Sequence, residues 1–467
     1  METSPHPSNG NPQEAQPKRS GHGKLPPGPG GGFGLNRLIH RLRDHAGFFE
    51  QLFAQYGDIA YFSMAGQKFC IVFGSEVIDQ VLVSERRAFE KGPLYHNNRI
   101  LKNPTTMTTV GKEHRRLRRL VQPSFHTKAM QGYSEIMIDE AIKLRDGWAE
   151  GSVVNVDQPM HQLALDIVGR AFFGPDSRVE SSLLKGVLNA LTWDAILNVV
   201  PLGWWIAGLP LPRNRRSRRA IESMDEVVYE VVGKARADDQ MQRTDLVSYL
   251  VHAVDDEEGE PALSNEEVRD ESYVMFIAGH ETSANTLVWC MYHLSANPET
   301  RARVEAEVDE VLEGRRPTFE DFSRLTYTGA VFDEVLRITP PAMVIGRRAV
   351  RDCEVGGYHI PKGTIVQVFV RAPHRNEKYW PNATEFRPQR WLEEHGRQPK
   401  QSYLPFGAGE SKCMGAMFAK MEVVFTLAAI TQRWRLDAVS KEFPAVDSLA
   451  GFYRCKHGMP CRVESRT

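Results

Sequence analysis

The chain lacks several features, each of which would have marked a class of protein. No apolar run approaches the ~18 residues a membrane span needs, so no spanning helix is predicted and the chain is expected to be soluble. Neither sign of charge dominates: 58 Lys and Arg face 59 Asp and Glu, a formal net charge of -1 over 467 residues. So weak a field does not recruit nucleic acid, and preferences for charged partners must come from local patches. Cysteine is sparse. Cys70, Cys290, Cys353, Cys413, Cys455 and Cys461 follow no disulfide rhythm in a chain too long to need stapling, which favours a reducing, cytoplasmic setting. Cys455, His457 and Cys461 lie close together without the second pair of ligands that a structural zinc requires. No G-x-G-x-x-G fingerprint occurs, so no flavin or nicotinamide site is predicted within the chain.

The residues that are present predict a globule. Hydrophobic residues make up 41% and charged residues 25%, an ordinary balance. No internal repeat or convincing linker divides the chain. Residues 1–24, rich in Pro, Ser, Gly, Asn and Gln, predict a disordered tail, and Lys24-Leu25-Pro26-Pro27-Gly28-Pro29-Gly30 a stiff hinge into one folded body over 25–467. Apolar spacing predicts a helix over Arg37 to Tyr56, then two short strands, Ile59 to Ser63 and Lys68 to Phe73. Helical periods dominate from Ser75 to Gln240. Ser264 and Glu267 form a capping box for a helix running to about Ala296, where Asn297-Pro298 stops it. Such a helix, around 30 residues and roughly 45 Å long, is apolar nearly all round at its middle and therefore buried. Glu354 to Val370 reads as sheet, and the chain past Leu436 as irregular with short strands. The fold class expected is mainly α with minor β.

The most informative segment is Phe406-Gly407-Ala408-Gly409-Glu410-Ser411-Lys412-Cys413-Met414-Gly415. Glycines punctuate it where the backbone must bend through positive φ or leave room for a flat ligand. An apolar helix from Ala416 to Arg433 follows, placing Cys413 at its amino end, where the helix dipole favours an anionic sulfur. A second unusual segment, Ala278-Gly279-His280-Glu281-Thr282-Ser283, puts a glycine, a carboxylate and a hydroxyl inside the long buried helix, which costs stability unless something offsets it.

The first segment resembles the cysteine-ligand loop of the cytochrome P-450 family, F-x-x-G-x-[R/H]-x-C-x-G, through Phe406, Gly409, Cys413 and Gly415. It departs at Ser411, where the family has a basic residue that holds a haem propionate. The second segment resembles the family's A-G-x-[D/E]-T signature. Glu334-Val335-Leu336-Arg337 resembles its E-x-x-R helix, and Phe386-Arg387-Pro388-Gln389-Arg390-Trp391 the partner segment.

The resemblance implies the cytochrome P-450 fold, one large helical domain with a small β-rich region, and haem b (iron protoporphyrin IX) as cofactor. Cys413 is then the metal ligand. Ala278 and Gly279 leave room for dioxygen, Thr282 hydrogen-bonds the oxygen species held there, and Glu281 helps deliver protons through water. Glu334, Arg337 and Arg387 form a bracing network, with Arg390 as rival for the third place. His114 stands at a tryptophan position and Arg118 at the arginine of the family's W-x-x-x-R helix. With Arg347 they are expected to hold the propionates. Met275, Ala278, Ala342, Val344 and Ile345 are expected to touch substrate, alongside the loop Tyr95 to Val110 and the greasy stretch Trp193 to Leu211. The implied reaction inserts one atom of O2 into a lipophilic, terpenoid- or polyketide-like molecule of secondary metabolism. A ferredoxin or flavodoxin with its reductase supplies the electrons, and the basic run Lys112 to Arg119 could dock an acidic donor. A peroxygenase, an isomerase or dehydratase of the same fold, and a non-catalytic haem sensor are the alternatives.

Overall fold

The computed structural model describes residues 23–29, 44–64, 66–92, 100–174, 181–199, 203–238, 244–254, 263–393, 399–448 and 451–466. The expected tail, apart from residues 23 and 24, and the first turns of the helix expected from Arg37 lie outside this set. The hinge is strapped to the sheet edge: the Tyr61 N–H donates to the Pro27 carbonyl at 2.9 Å and the His359 N–H to that of Lys24 at 3.1 Å. At Gly28 a Cβ would fall 1.7 Å from the Tyr61 carbonyl oxygen.

The elements run in order α1 (His45–Tyr56), β1 (Ile59–Met64), β2 (Gln67–Val72), α2 (Ser75–Asp79), a π turn (Gln80–Ser84), β3 (Phe89–Lys91), α3 (Gly111–Val121), α4 (Thr127–Asp146), β4 (Val153–Asn155), α5 (Asp157–Phe173), α6 (Ser181–Val199), α7 (Gly203–Gly208), α8 (Pro212–Arg236), α9 (Leu246–Val251), α10 (Asn265–Ala296), α11 (Pro298–Leu312), α12 (Thr326–Ile338), β5 (Val344–Ala349), β6 (Cys353–Val355), β7 (Tyr358–Ile360), β8 (Ile365–Phe369), α13 (Arg371–His374), α14 (Ala416–Thr431), β9 (Trp434–Ala438), β10 (Val446–Asp447), β11 (Arg454–Cys455) and β12 (Pro460–Ser465). Helix α1 begins at His45 because the Asp44 carboxylate accepts the Gly47 N–H.

The main core gathers apolar faces of α4, α5, α8, α10, α12 and α14. Beside it stands a five-stranded sheet in the order β1-β2-β8-β5-β3, backed by its own smaller core, which reaches Leu404 and Ala408 at the entry of the cysteine loop. The long helix α10 has both halves of the capping box, Ser264 to Glu267 and back. In its first half it is buried without a break from Val268 to Phe276.

One buried network ties α12 to the segment ahead of the cysteine loop. Arg337 forks onto Glu334 at 2.9 and 2.8 Å, and donates to the carbonyls of His374, Ala383 and Glu385. The Arg390 Nε donates to Glu334 at 3.0 Å and the Trp391 indole at 2.9 Å. Arg387 was expected as the third member, and the structure assigns that place to Arg390. Preceding Pro388, Arg387 takes φ -134° and ψ 82°, an extended conformation that a following proline favours. Its backbone N–H reaches Glu334, while its side chain turns outward to Glu393.

Replacing Glu334 with Ala leaves two buried guanidiniums uncompensated and is expected to cost about 3–5 kcal/mol. Replacing Arg387 with Ala breaks an exposed pair and costs about 1 kcal/mol or less. Urea unfolding of both variants checks the assignment, and equal losses would contradict it.

Candidate active site

The loop before α14 folds back on itself. The Gly407 N–H donates to Leu404 at 3.0 Å and the Cys413 N–H to Phe406 at 2.8 Å. Gly407 and Gly409 have φ of 72° and 69°, the left-handed conformation their positions in the sequence predicted. Gly409 is doubly constrained, since a Cβ there would sit 2.3 Å from the Leu82 carbonyl oxygen on the π turn. Phe406 stacks on Phe332 of α12, so the bracing helix also steadies the loop. Gly415 has a negative φ of -80°, and a Cβ there would stand 3.9 Å from both the Cys413 sulfur and the Phe125 ring, in ordinary contact with each.

Cys413 is accessible, yet it lies among enough protein for burial to push its thiol above the usual range, against the opposing pull of the Gly415 N–H, Arg118 and Lys412. The helix end alone was expected to favour an anionic sulfur, and desolvation outweighs it. A bound metal ion reverses that balance, because a coordinating thiol loses its proton outright.

Helix α10 opens at its middle. Ala278 is exposed and Ile277, Glu281 and Thr282 are partly open, between fully buried stretches. The Thr282 hydroxyl donates to the Ala278 carbonyl at 2.8 Å, leaving its lone pairs for an outside donor. Gly279 was expected to clear the same face, but a Cβ there would meet Val168 at 3.3 Å and Phe172 at 3.7 Å. Its glycine is explained by close packing on α5. The Glu281 carboxylate lies 2.9 Å from the Arg454 Nε, at ion-pair distance without an aligned hydrogen bond. Met275, expected to touch substrate, is closed into the core by the buried stretch around it. Ala342, Val344 and Ile345 are half-buried, and Ala342 bridges to Phe452, beside Arg454.

Basic groups converge near the cysteine loop. The Arg118 guanidinium donates to the Lys412 carbonyl at 2.6 Å. The His114 Nε2 lies 3.0 Å from the Glu410 carbonyl oxygen, while its buried Nδ1 has no partner. Burial, then Lys91, lowers the imidazole below its ordinary value, and Arg118 adds to the effect. Lys91, which the sequence gave no reason to single out, ends β3 directly opposite Arg347 on β5.

An accessible cysteine ahead of a buried helix and a hydroxyl at an opening in the longest helix are the features that the sequence resemblance assigned to a haem-thiolate oxygenase. The comparisons with known proteins agree. The family model described as Cytochrome P450 matches residues 26–454. The chain is 33% identical over 383 residues to cyclooctatin synthase of Streptomyces melanosporofaciens, covering 82% of this chain and 83% of that protein. It is 30% identical over 387 residues to pentalenene oxygenase of Streptomyces avermitilis, covering 82% and 84%. The crystal structure of the cytochrome P450DA heme domain aligns with a TM-score of 0.84 at 27% identity, covering 96% of this chain and 99% of that one. The chain belongs to the cytochrome P450 family, and it is a haem-dependent monooxygenase that uses O2 and electrons from a redox partner. Among the described residues no helix is long and apolar enough to cross a membrane.

The residues fit a haem. Cys413 is accessible, Gly415 keeps a side chain from projecting beside its sulfur, and the basic cluster with its orphan His114 nitrogen suits the two propionates. Sequence reasoning missed Lys91, Phe452 and Arg454, because strand register and a distant hairpin bring them to the site and no local motif marks them.

Helix α14 also buries Glu422 completely. Neither carboxyl oxygen has an aligned hydrogen bond, Ser283 of α10 is its polar neighbour, and burial pushes it up to about 8. A carboxyl raised in the folded state gives its full contribution to stability below its unfolded value and loses it as pH rises through the folded one. Glu422→Gln is therefore expected to gain stability relative to the parent as pH climbs from about 4.5 to 8, by up to ~1.4 kcal/mol per unit. Unfolding free energies across that window test it, and a constant difference would contradict it.

Proposed function

We propose that this chain hydroxylates or epoxidises a lipophilic terpenoid, with haem b held by Cys413. The observation that carries the reading is Cys413, accessible in the glycine-bent loop at the head of α14. Haem ligated by a thiolate supplies an iron centre whose electron-rich sulfur favours dioxygen-bond cleavage.

The chain's own residues do the rest. Phe406 and the turn at Gly407 and Gly409 fix the sulfur's direction. His114, Arg118 and Arg347 bind the cofactor's carboxylates. Thr282, donating to its own helix, offers lone pairs to a proton donor at the open face. Glu281, partly exposed and paired with Arg454, exchanges protons with solvent and passes them toward that hydroxyl. Ala278 keeps the face clear, and Ala342, Val344 and Ile345 form an apolar wall. Two relatives bear terpenoid names, cyclooctatin synthase and pentalenene oxygenase, which supports a substrate of that class. Helix α3 meets the cysteine loop through Arg115 and Arg118, which reach Glu410 and Lys412, and the exposed Lys112, Arg115, Arg119 and Lys412 offer positive charge suited to an acidic ferredoxin or flavodoxin served by its reductase. The six cysteines, all free, suit a reducing cytoplasmic setting.

A panel of terpenoids, steroids, fatty acids and macrolides, screened for a low-to-high spin shift, is expected to respond to terpenoids first. A response confined to another class sinks the substrate assignment. Cys413→Ser abolishes the thiolate-type carbon monoxide spectrum, and its survival would remove the ligand assignment. Thr282→Ala is expected to divert reductant into hydrogen peroxide severalfold more than the parent, read as product formed per electron. Unchanged coupling would count against the hydroxyl's role.

A further inference from the structure

A carboxyl that gives up protons has to regain them, and the helix that carries Glu281 offers no route. Its neighbours His280 and Ser283 are buried. Arg454, its partner at 2.9 Å, is a guanidinium that keeps its proton. A third group approaches from α5. His161 lies one turn beyond Asp157, with its Nε2 3.8 Å from the Asp157 carboxylate, and its imidazole feels the charges of both Glu281 and Arg454. Of these groups an imidazole is the one that gains and loses a proton near neutral pH.

The imidazole is held from behind. The His280 Nε2 lies 3.2 Å from the His161 carbonyl oxygen, which can only accept, so His280 carries its proton on Nε2. The two rings stand 5.2 Å apart. Burial, then His161, pushes His280 down to about 3, so that ring stays neutral and serves as a wall. His161 differs. Burial lowers its imidazole below the ordinary value, Asp157 and Glu281 pull it back up, and Arg454 opposes them. Lys185 of α6, bonded to Gln162 at 2.7 Å, adds a cation beside His280, and Cys455 of β11, near Asp157, keeps its proton because burial pushes the thiol up to about 12. His161 and Asp157 leave 26% and 29% of their side chains exposed, Glu281 and Arg454 24% and 36%, and Asp157 has exposed Asn155 and Gln158 close to it in the chain. The groups thus form a row from the surface at the start of α5 to the open middle of α10.

We propose that His161 relays protons from solvent to Glu281, with Asp157 drawing them to the imidazole and Arg454 holding the receiving carboxylate in place. The proposal rests on the reading of Glu281 as the proton donor to the open face. In the relay His161 takes a proton from water at one ring nitrogen and releases one to a Glu281 oxygen. It returns to the neutral imidazole, and no electron moves.

The test uses the holoenzyme with a surrogate ferredoxin, its reductase and NADPH, without added substrate, and reads hydrogen peroxide formed per NADPH consumed across about pH 5 to 8. That ratio reports how O2 is partitioned between peroxide and water, whichever step limits the rate. His161→Phe keeps an aromatic ring against His280, and His161→Gln keeps a polar group. Each is expected to raise the ratio roughly twofold or more at neutral pH and to flatten its dependence on pH. The thiolate-type carbon monoxide spectrum shows that a variant is folded, and either variant carries the comparison. A ratio and a pH profile that match the parent overturn the relay. In the diamagnetic carbon monoxide complex, the His161 ring resonance, assigned by its loss in His161→Gln, is expected to titrate at lower pH after Glu281→Gln and at higher pH after Arg454→Gln. A midpoint indifferent to both changes overturns the link to Glu281. Glu281→Gln also separates the two readings: a peroxide ratio altered in that variant but in neither His161 variant strikes His161 and leaves Glu281 standing, whereas a ratio that Glu281→Gln leaves unchanged defeats the earlier reading of the carboxyl.

Discussion

A reactive sulfur held open inside a folded protein is the constraint on which the rest depends. Cys413 must be reachable by a large flat ligand, so no side chain can fill the space beside it. Desolvation there disfavours the charge it must carry, as the upward shift of its thiol records. The fold meets this with rigidity: a loop bent twice through positive φ, a close backbone contact at Leu82, an aromatic stack on α12 and, behind that helix, the Glu334 network. A guanidinium with all its donors engaged by Glu334 and three carbonyls has one arrangement available. Its energetic value is debatable for a buried ion pair, whereas its value for orientation is direct, because α12 carries both Glu334 and Phe332.

The facing helix resolves a different conflict. It is long enough to span the core and buried over most of its course, yet it must present polar atoms at its middle. Thr282 bonds its own helix, which satisfies the donor without a partner from elsewhere. Gly279 lets α5 approach closely and fixes the helix from behind. Glu281 is reached by Arg454 from the carboxyl-terminal hairpin. The opening is therefore local, and the helix on either side remains ordinary core.

Much of this was legible because local chemistry dictates it. The capping box at Ser264, the stop at Asn297-Pro298 and the positive φ at Gly407 and Gly409 each follow from one residue's covalent structure. Motif spacing picked out Glu334 and Arg337, which share one buried network, and Thr282, which lies where α10 is partly open. What spacing could not supply was direction. Arg387 and Arg390 both lie within reach of Glu334, and the conformation imposed by Pro388 decided between them. Gly279 was assigned to the open face together with Ala278 by the family resemblance, although a helix turns about 100° between them. Lys91 was invisible for another reason. Its meeting with Arg347 joins residues far apart in sequence through strand register, which no periodicity within either strand reveals.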